Sequence, residues 1–287
     1  MQAEALARQL VKSPGRDAPP PASHIILAQS LIGQERFKDA LEPLLYAINT
    51  QRKMGGNVRE NWLALLSSVY FSLEDFESLR TVLYELVNIN PKEQYLINLA
   101  AINGQLGEPD KQLALVEAMK DDNRLVTESH LMTLANLFMV QKLPFKAAAL
   151  LEAEIAKQRI PKSQQTLQLQ SQAWYLAGEY NKAIPPLQEA AKMSNDGELW
   201  LRVARLYVAL YDWKNAEAAA QFAVEKGDLK KPGSALILQG MAMVNQGKYR
   251  QAKKILRQAG KYKDSIKWST QWLTYIDNEQ KRLAQAN

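Results

Sequence analysis

The residues best equipped for chemistry are few and far apart. Two histidines stand in 287 residues, His24 and His130, and neither has a partner at metal-ligand spacing. Both are expected to be surface or groove polar residues. The chain has no cysteine, which excludes disulfides, thiolate zinc sites and cysteine nucleophiles. Acid pairs such as Glu152/Glu154 and Asp121/Asp122 read as solvated charge on helix faces or loops rather than as carboxylate dyads. No Gly-rich phosphate loop, Gly-x-Ser-x-Gly elbow or His-Glu-x-x-His motif is present. The sequence offers no catalytic residue, no metal ligand and no cofactor site, so an interaction protein is the expected class.

The charges that do form a pattern are basic. Residues 220–267 hold eleven Lys or Arg against three acids, while the whole chain carries only +6. Within that stretch Arg250, Lys253, Lys254, Arg257 and Lys261 follow helical spacing and fall on one helix face. Such a stripe would meet an acidic protein, a polyanion or an anionic membrane surface. The alternative is an ordinary solvated face. No stacking aromatics are interleaved with it, so nucleic acid is not an expected partner. No apolar run approaches the roughly 18 residues of a membrane span. The first residues have neither a basic nor an apolar leader region, which fits a cytosolic chain or one given in mature or shortened form.

The elements that must carry these residues are set by a repeat. An aromatic residue is followed three positions later by a small one at Phe37/Ala40, Phe145/Ala148, Tyr180/Ala183, Trp213/Ala216 and Tyr249/Ala252. Phe76/Leu79 is a looser copy, and Pro109/Gln112 looser still. Successive anchors lie 39, 33, 36, 35, 33 and 36 residues apart. Gly107, Gly178 and Gly247 stand two residues before their anchors, where a turn between helices belongs. Nine residues before the anchor a small residue often recurs, as in Ala28, Ser67, Ala100, Ser171, Ala204 and Gly240. Each period is then a pair of antiparallel helices, with the small residues where the backbones cross.

This period and these positions resemble the tetratricopeptide repeat family over residues 21–262. The resemblance implies an all-α fold: a right-handed superhelical solenoid of about seven helix-turn-helix repeats, the third degenerate. Residues 1–20 are expected to hold a partial helix and a Pro-rich loop, the loop running on to residue 23. Residues 263–287 are expected to form a capping helix. That helix carries Trp268, Trp272 and Tyr275, which either cap the array or form an aromatic docking patch.

The family's first helices line a concave groove, and its ligand-facing positions carry over residue by residue. They give Gln29, then Asn61, Ser68 and Phe71, then Gln94. Further along they give Gln165, Gln168, Gln172 and Tyr175. Arg202 and Arg205, one helical turn apart, are expected to take an acidic side chain of the ligand. The Lys and Asn set with which some family members clamp a chaperone's terminal carboxylate is absent. The last third also resembles the tetratricopeptide proteins of Gram-negative TonB systems, on Trp272, Tyr275, Glu279 and Arg282 after Gly-Lys-Tyr-Arg-Gln-Ala. This implies a periplasmic accessory of TonB-dependent transport. An envelope-assembly scaffold and a cytosolic adaptor are the competing forms of the same non-catalytic role. The oligomeric state is left open by the sequence.

Overall fold

The computed structural model describes residues 5, 8, 9 and 20–286. The expected partial helix and Pro-rich loop therefore lie almost wholly outside the described residues. Among the described residues there are fifteen helices and no strand. Two compact units divide the chain, one ending at Val126 and the other beginning at Thr127.

The first unit holds three helix pairs. These are α1 (Pro21–Ile32) with α2 (Phe37–Lys53), α3 (Glu60–Ser72) with α4 (Phe76–Ile89), and α5 (Glu93–Gln105) with α6 (Pro109–Asp121). Residues 21–23, expected in a loop, form the first turn of α1, because Pro21 is preset for that position. The second unit holds four pairs and a final helix. They are α7 (Glu128–Val140) with α8 (Pro144–Ala156), α9 (Gln164–Leu176) with α10 (Tyr180–Met193), α11 (Glu198–Ala209) with α12 (Trp213–Lys226), and α13 (Pro232–Asn245) with α14 (Tyr249–Ala259). The last, α15 (Ile266–Ala286), packs on α14 and more lightly on α13.

Six of the seven anchors are the first residue of a second helix, and Phe145 is the second residue of α8. Their small pair-mates sit at the crossings. Ala40, Ala148, Ala183, Ala216 and Ala252 are all essentially inaccessible. Gln112, the least faithful copy, stays half-exposed.

All seven intra-repeat turns close in one way. Arg36, Asp75, Glu108, Leu143, Glu179, Asp212 and Lys248 each donate their backbone N–H to the carbonyl five residues back. This is the six-to-one bond of a Schellman turn, and it requires a left-handed residue just before the donor. Gly107, Gly178 and Gly247 supply it in three repeats, and Glu35, Glu74, Lys142 and Tyr211 in the other four, with φ between 56° and 59°.

Successive repeats are joined by ion pairs about one period apart. Arg52 meets Glu85, Arg80 meets Glu108, and Lys248 meets Glu217, at 2.6–3.1 Å. Glu60 is the densest such junction. It accepts from Lys92 Nζ at 2.5 Å, Tyr95 Oη at 2.7 Å and Asn90 Nδ2 at 3.2 Å. These bonds, Lys92's first, hold its carboxyl at about 2 rather than 4.5. A carboxyl depressed in the folded state contributes stability above its unfolded value and loses it as pH falls toward the folded one. Glu60→Gln should therefore flatten the loss of stability between about pH 4.5 and pH 2. Urea midpoints measured across that window check this; wild-type and variant curves that run parallel would sink it.

Two expectations about single residues need correction. His24 is buried, not a surface residue, and stacks on the Tyr46 ring with centroids 4.1 Å apart. Burial lowers its pKa, so it favours the neutral form. Glu154 is also buried, at 1% exposure, and is held by Arg159 and Lys157. It is an internal ion pair rather than solvated charge.

Candidate functional site

Each unit contains a cleft, and the two are built from equivalent repeat positions. In the second unit α9 contributes Ser171, Gln172 and Tyr175, α10 contributes Leu187, and α11 contributes Arg202, Arg205 and Leu206. In the first unit α3 contributes Ser67, Ser68 and Phe71, α4 contributes Leu83, and α5 contributes Asn98, Ala101 and Ile102. Counted from the Tyr180/Trp213 and Phe76/Pro109 anchors, these seven residues correspond one to one, while Ala209 lines only the second cleft and Ser72 and Leu79 only the first. Both clefts therefore follow from the repeat itself: two first helices form the walls and the second helix between them forms the floor.

The floors are alike and the rims are not. Leu83 and Leu187 are buried beneath aromatics that stand largely in solvent, Phe71 at 63% exposure and Tyr175 at 49%. Ser171 donates from Oγ to the Ala183 carbonyl at 2.8 Å, fixing α9 against α10. On the opposite wall the first unit has Asn98 and Ala101 where the second has Arg202 and Arg205. Asn98 Oδ1 accepts from Gln94 Nε2 at 2.8 Å. Arg202 is half-buried and Arg205 exposed, and among the described residues neither makes an ion pair. One cleft is neutral and the other presents two guanidinium groups beside a phenol.

The expected groove residues divide accordingly. Gln172, Tyr175, Arg202 and Arg205 come together in one cleft, and Ser68 and Phe71 line the other. Gln94 reaches the first cleft only through Asn98. Gln29, Asn61 and Gln165 are exposed, Gln168 is half-buried, and none lines either cleft. The reading by first helices missed the leucine floor, which comes from second helices. It also missed Asn98 and Ala101, which superposing the repeats on Arg202 and Arg205 would have found.

The basic stripe narrows on inspection. Lys253 turns away from it to Asp277 at 2.6 Å and Gln280 at 2.7 Å, both on α15. Its bond is the main reason that Asp277 titrates below the ordinary carboxylate range. Lys261, expected on the same helix face, stands in the turn beyond Ala259; with Arg250, Lys254 and Arg257 it remains exposed and lines one shallow trough with Gln251 and Gln258. The aromatic patch divides as well. Trp268 and Tyr275 are exposed, whereas Trp272 packs half-buried against Met243, Val244, Leu256 and their neighbours. Among the described residues no group of His, Asp or Glu could hold a metal ion, and no helix is long and apolar enough to cross a membrane.

Seven helix pairs at a period of 33–39 residues, all closed by the same turn, decide the fold. It is a tetratricopeptide-type helical repeat. A structure of Naa15/Naa10 bound to HypK-THB matches 90% of this chain at 12% identity, with a TM-score of 0.65. The match spans 39% of that longer chain, and at this identity it speaks for the helical-repeat fold alone. A tetratricopeptide repeat protein from Parabacteroides merdae matches 89% of this chain and 98% of its own at 16% identity and a TM-score of 0.47. The TPR2AB domain of yeast Sti1, seen in complex with pHSP90, matches 90% and 98% at 15% identity and a TM-score of 0.43. No family model matches the sequence. No curated protein matches it either.

Proposed function

We propose that this chain is a non-catalytic scaffold that holds a segment of another protein, and that the Tyr175–Arg202–Arg205 cleft is a principal contact. The observation that carries the reading is the unpaired arginine pair over an apolar floor. Among the described residues, both guanidinium groups stand without an ion pair beside an exposed tyrosine. Arginine forks suit carboxylates geometrically, and a phenol over Leu187 suits an apolar side chain. The ligand segment therefore carries an acidic residue close to an apolar or aromatic one. The first-unit cleft, with Phe71, Leu83 and Asn98, suits a neutral segment.

A random-peptide library selected on the wild-type chain tests this directly. Recovered sequences should be enriched in Asp or Glu next to an apolar residue. Arg202→Ala with Arg205→Ala should weaken the selected peptides about tenfold or more, since a charge-assisted hydrogen bond is worth roughly 1.5–3 kcal/mol. Peptides that bind the double variant as well as wild type would move the site elsewhere.

A finer form of the proposal places the protein in the periplasm beside TonB-type machinery. It is supported by the C-terminal resemblance alone. In that helix Glu279 and Arg282 pair at 2.6 Å, and Trp272 meets Tyr275 edge to face. Fractionation of the native cell, followed by cross-linking to TonB, tests the compartment and the partner separately.

A further inference from the structure

We propose that the exposed face of α14, continued by Lys261 in the turn after it, is a second docking surface, taking an acidic helix of a partner protein along the row Arg250, Lys254, Arg257 and Lys261. The two middle cations of the row, Lys254 and Arg257, belong to this helix and not to the repeat. In the six earlier second helices the positions of Lys254 hold Glu42, Thr81, Ala114, Leu150, Pro185 and Ala218. Those of Arg257 hold Leu45, Tyr84, Glu117, Ala153, Gln188 and Gln221. No cation stands at either middle position before α14. The outer positions are basic elsewhere too, as Lys38, Lys146 and Lys214 in place of Arg250 and Lys157 and Lys192 in place of Lys261, so what sets α14 apart is the unbroken row of four.

The row is also uncompensated. Neighbouring cations are taken up by carboxylates, Lys248 by Glu217 at 2.7 Å and Lys253 by Asp277 at 2.6 Å. Among the described residues Arg250, Lys254, Arg257 and Lys261 form no ion pair. Asp277 feels Arg257 only as a minor influence beside Lys253. The opposite side of the helix is fixed in place: Ala252, Leu256 and Ala259 are fully buried, so the row cannot rotate away.

Geometry selects a helix as the occupant. Arg250, Lys254 and Arg257 are separated by four and three residues, or about 10 Å along α14 at 1.5 Å per residue, and Lys261 stands in the turn just past the helix end. A helix lying alongside with carboxylates at i, i+4 and i+7 repeats that spacing, and one at i+11 continues it toward Lys261. An extended chain presents one face at intervals of about 6.6 Å, so three carboxylates would span about 13 Å and drift out of register. A bilayer fits less well, because glutamines, Gln251 and Gln258, flank the row where insertion would need apolar side chains.

The test uses the full chain and a lactam-stapled helical peptide of about 15 residues, with Glu at i, i+4, i+7 and i+11. A composition isomer has the same glutamates spread around the helix. By fluorescence anisotropy at low salt the patterned peptide should bind about tenfold tighter than the isomer. Arg250→Gln, Lys254→Gln, Arg257→Gln and Lys261→Gln combined should remove about tenfold or more of that affinity and flatten its salt dependence. Lys253→Gln, which removes one charge from the same helix but not from the row, should change it by about twofold at most. Circular dichroism confirms that the variants are folded. Equal binding of the two isomers, or unchanged binding by the fourfold variant, overturns the proposal. So does failure of the patterned peptide to bind, whether or not phosphatidylserine vesicles or heparin do. Because the row and the Arg202–Arg205 cleft share no residue, either can fail without the other.

Discussion

Gly197→Ala should destabilise the second unit by about 3 kcal/mol, the upper range for overpacking a well-filled site. A Cβ at Gly197 would stand 2.1 Å from the Ala223 carbonyl oxygen and 2.9 Å from its carbon. Both belong to backbone, so no side chain can swing aside. Gly197 is the N-cap of α11, and Ala223 lies in the last turn of α12, whose end is tied back by the Gly197 N–H to the Gly227 carbonyl at 2.9 Å. Relief therefore means parting α11 from α12 where the small-residue crossing holds them. Gly247→Ala is the control. It has open space around the new methyl and only the left-handed φ of 75° to oppose it, a cost of about 1 kcal/mol. Urea unfolding of the two variants should separate them clearly. Equal losses would mean that the close approach at Gly197 is relieved cheaply.

The second large effect is expected at Arg159→Ala, about 2 kcal/mol at neutral pH. Burial pushes the Glu154 carboxyl up, and hydrogen bonds from Arg159 and Lys157 outweigh it, so the group sits below its ordinary range. Removing Arg159 leaves a buried carboxylate with only the largely exposed Lys157 for support. Loss of one partner from a buried pair commonly costs 3–5 kcal/mol, and the remaining lysine reduces that. The sign of the pH dependence follows. In wild type the pair contributes fully above the unfolded carboxyl value and is lost as pH falls through the folded one. The variant lacks that contribution, so its deficit should be greatest at neutral pH and shrink as Glu154 protonates below about pH 4.5. Unfolding midpoints for both proteins from neutral to acid pH decide it. A deficit constant across pH would point to lost packing instead of lost charge pairing.

The fold was legible because its determinants are local and recur. Phe37, Tyr180, Trp213 and Tyr249 mark where second helices begin, and the alanines three residues later mark where they cross. The turns were half legible. Glycine advertises a left-handed residue, but Glu35, Glu74, Lys142 and Tyr211 take the same conformation with no sign in their identity, held there by the closing hydrogen bond. Gly197 was overlooked because it sits in a Ser-Asn-Asp-Gly stretch that reads as loop. Its role depends on α12 arriving from 26 residues away. Similarly, helical spacing placed Lys253 beside Arg250, and only the position of α15, with Asp277 facing it, divides them. The arginine cleft was readable in part, since Tyr175, Arg202 and Arg205 hold positions that the repeat turns toward one another. The buried Glu154 was not, because burial of a charge depends on what a linker does after the helix ends.

The seven turns have a use of their own. Residues as unlike as Glu35, Gly107, Lys142 and Tyr211 occupy the same exposed point, so side-chain size and charge matter little there. The chain contains no cysteine. A thiol introduced at any of the four non-glycine tips would be unique, accessible and anchored to a known place in a helix pair. Glu35 with Glu74 in the first unit, or Lys142 with Tyr211 in the second, then become attachment points for spin labels or dye pairs. The array thereby carries built-in ruler marks, against which the stretching or tightening of each unit during ligand capture can be measured directly.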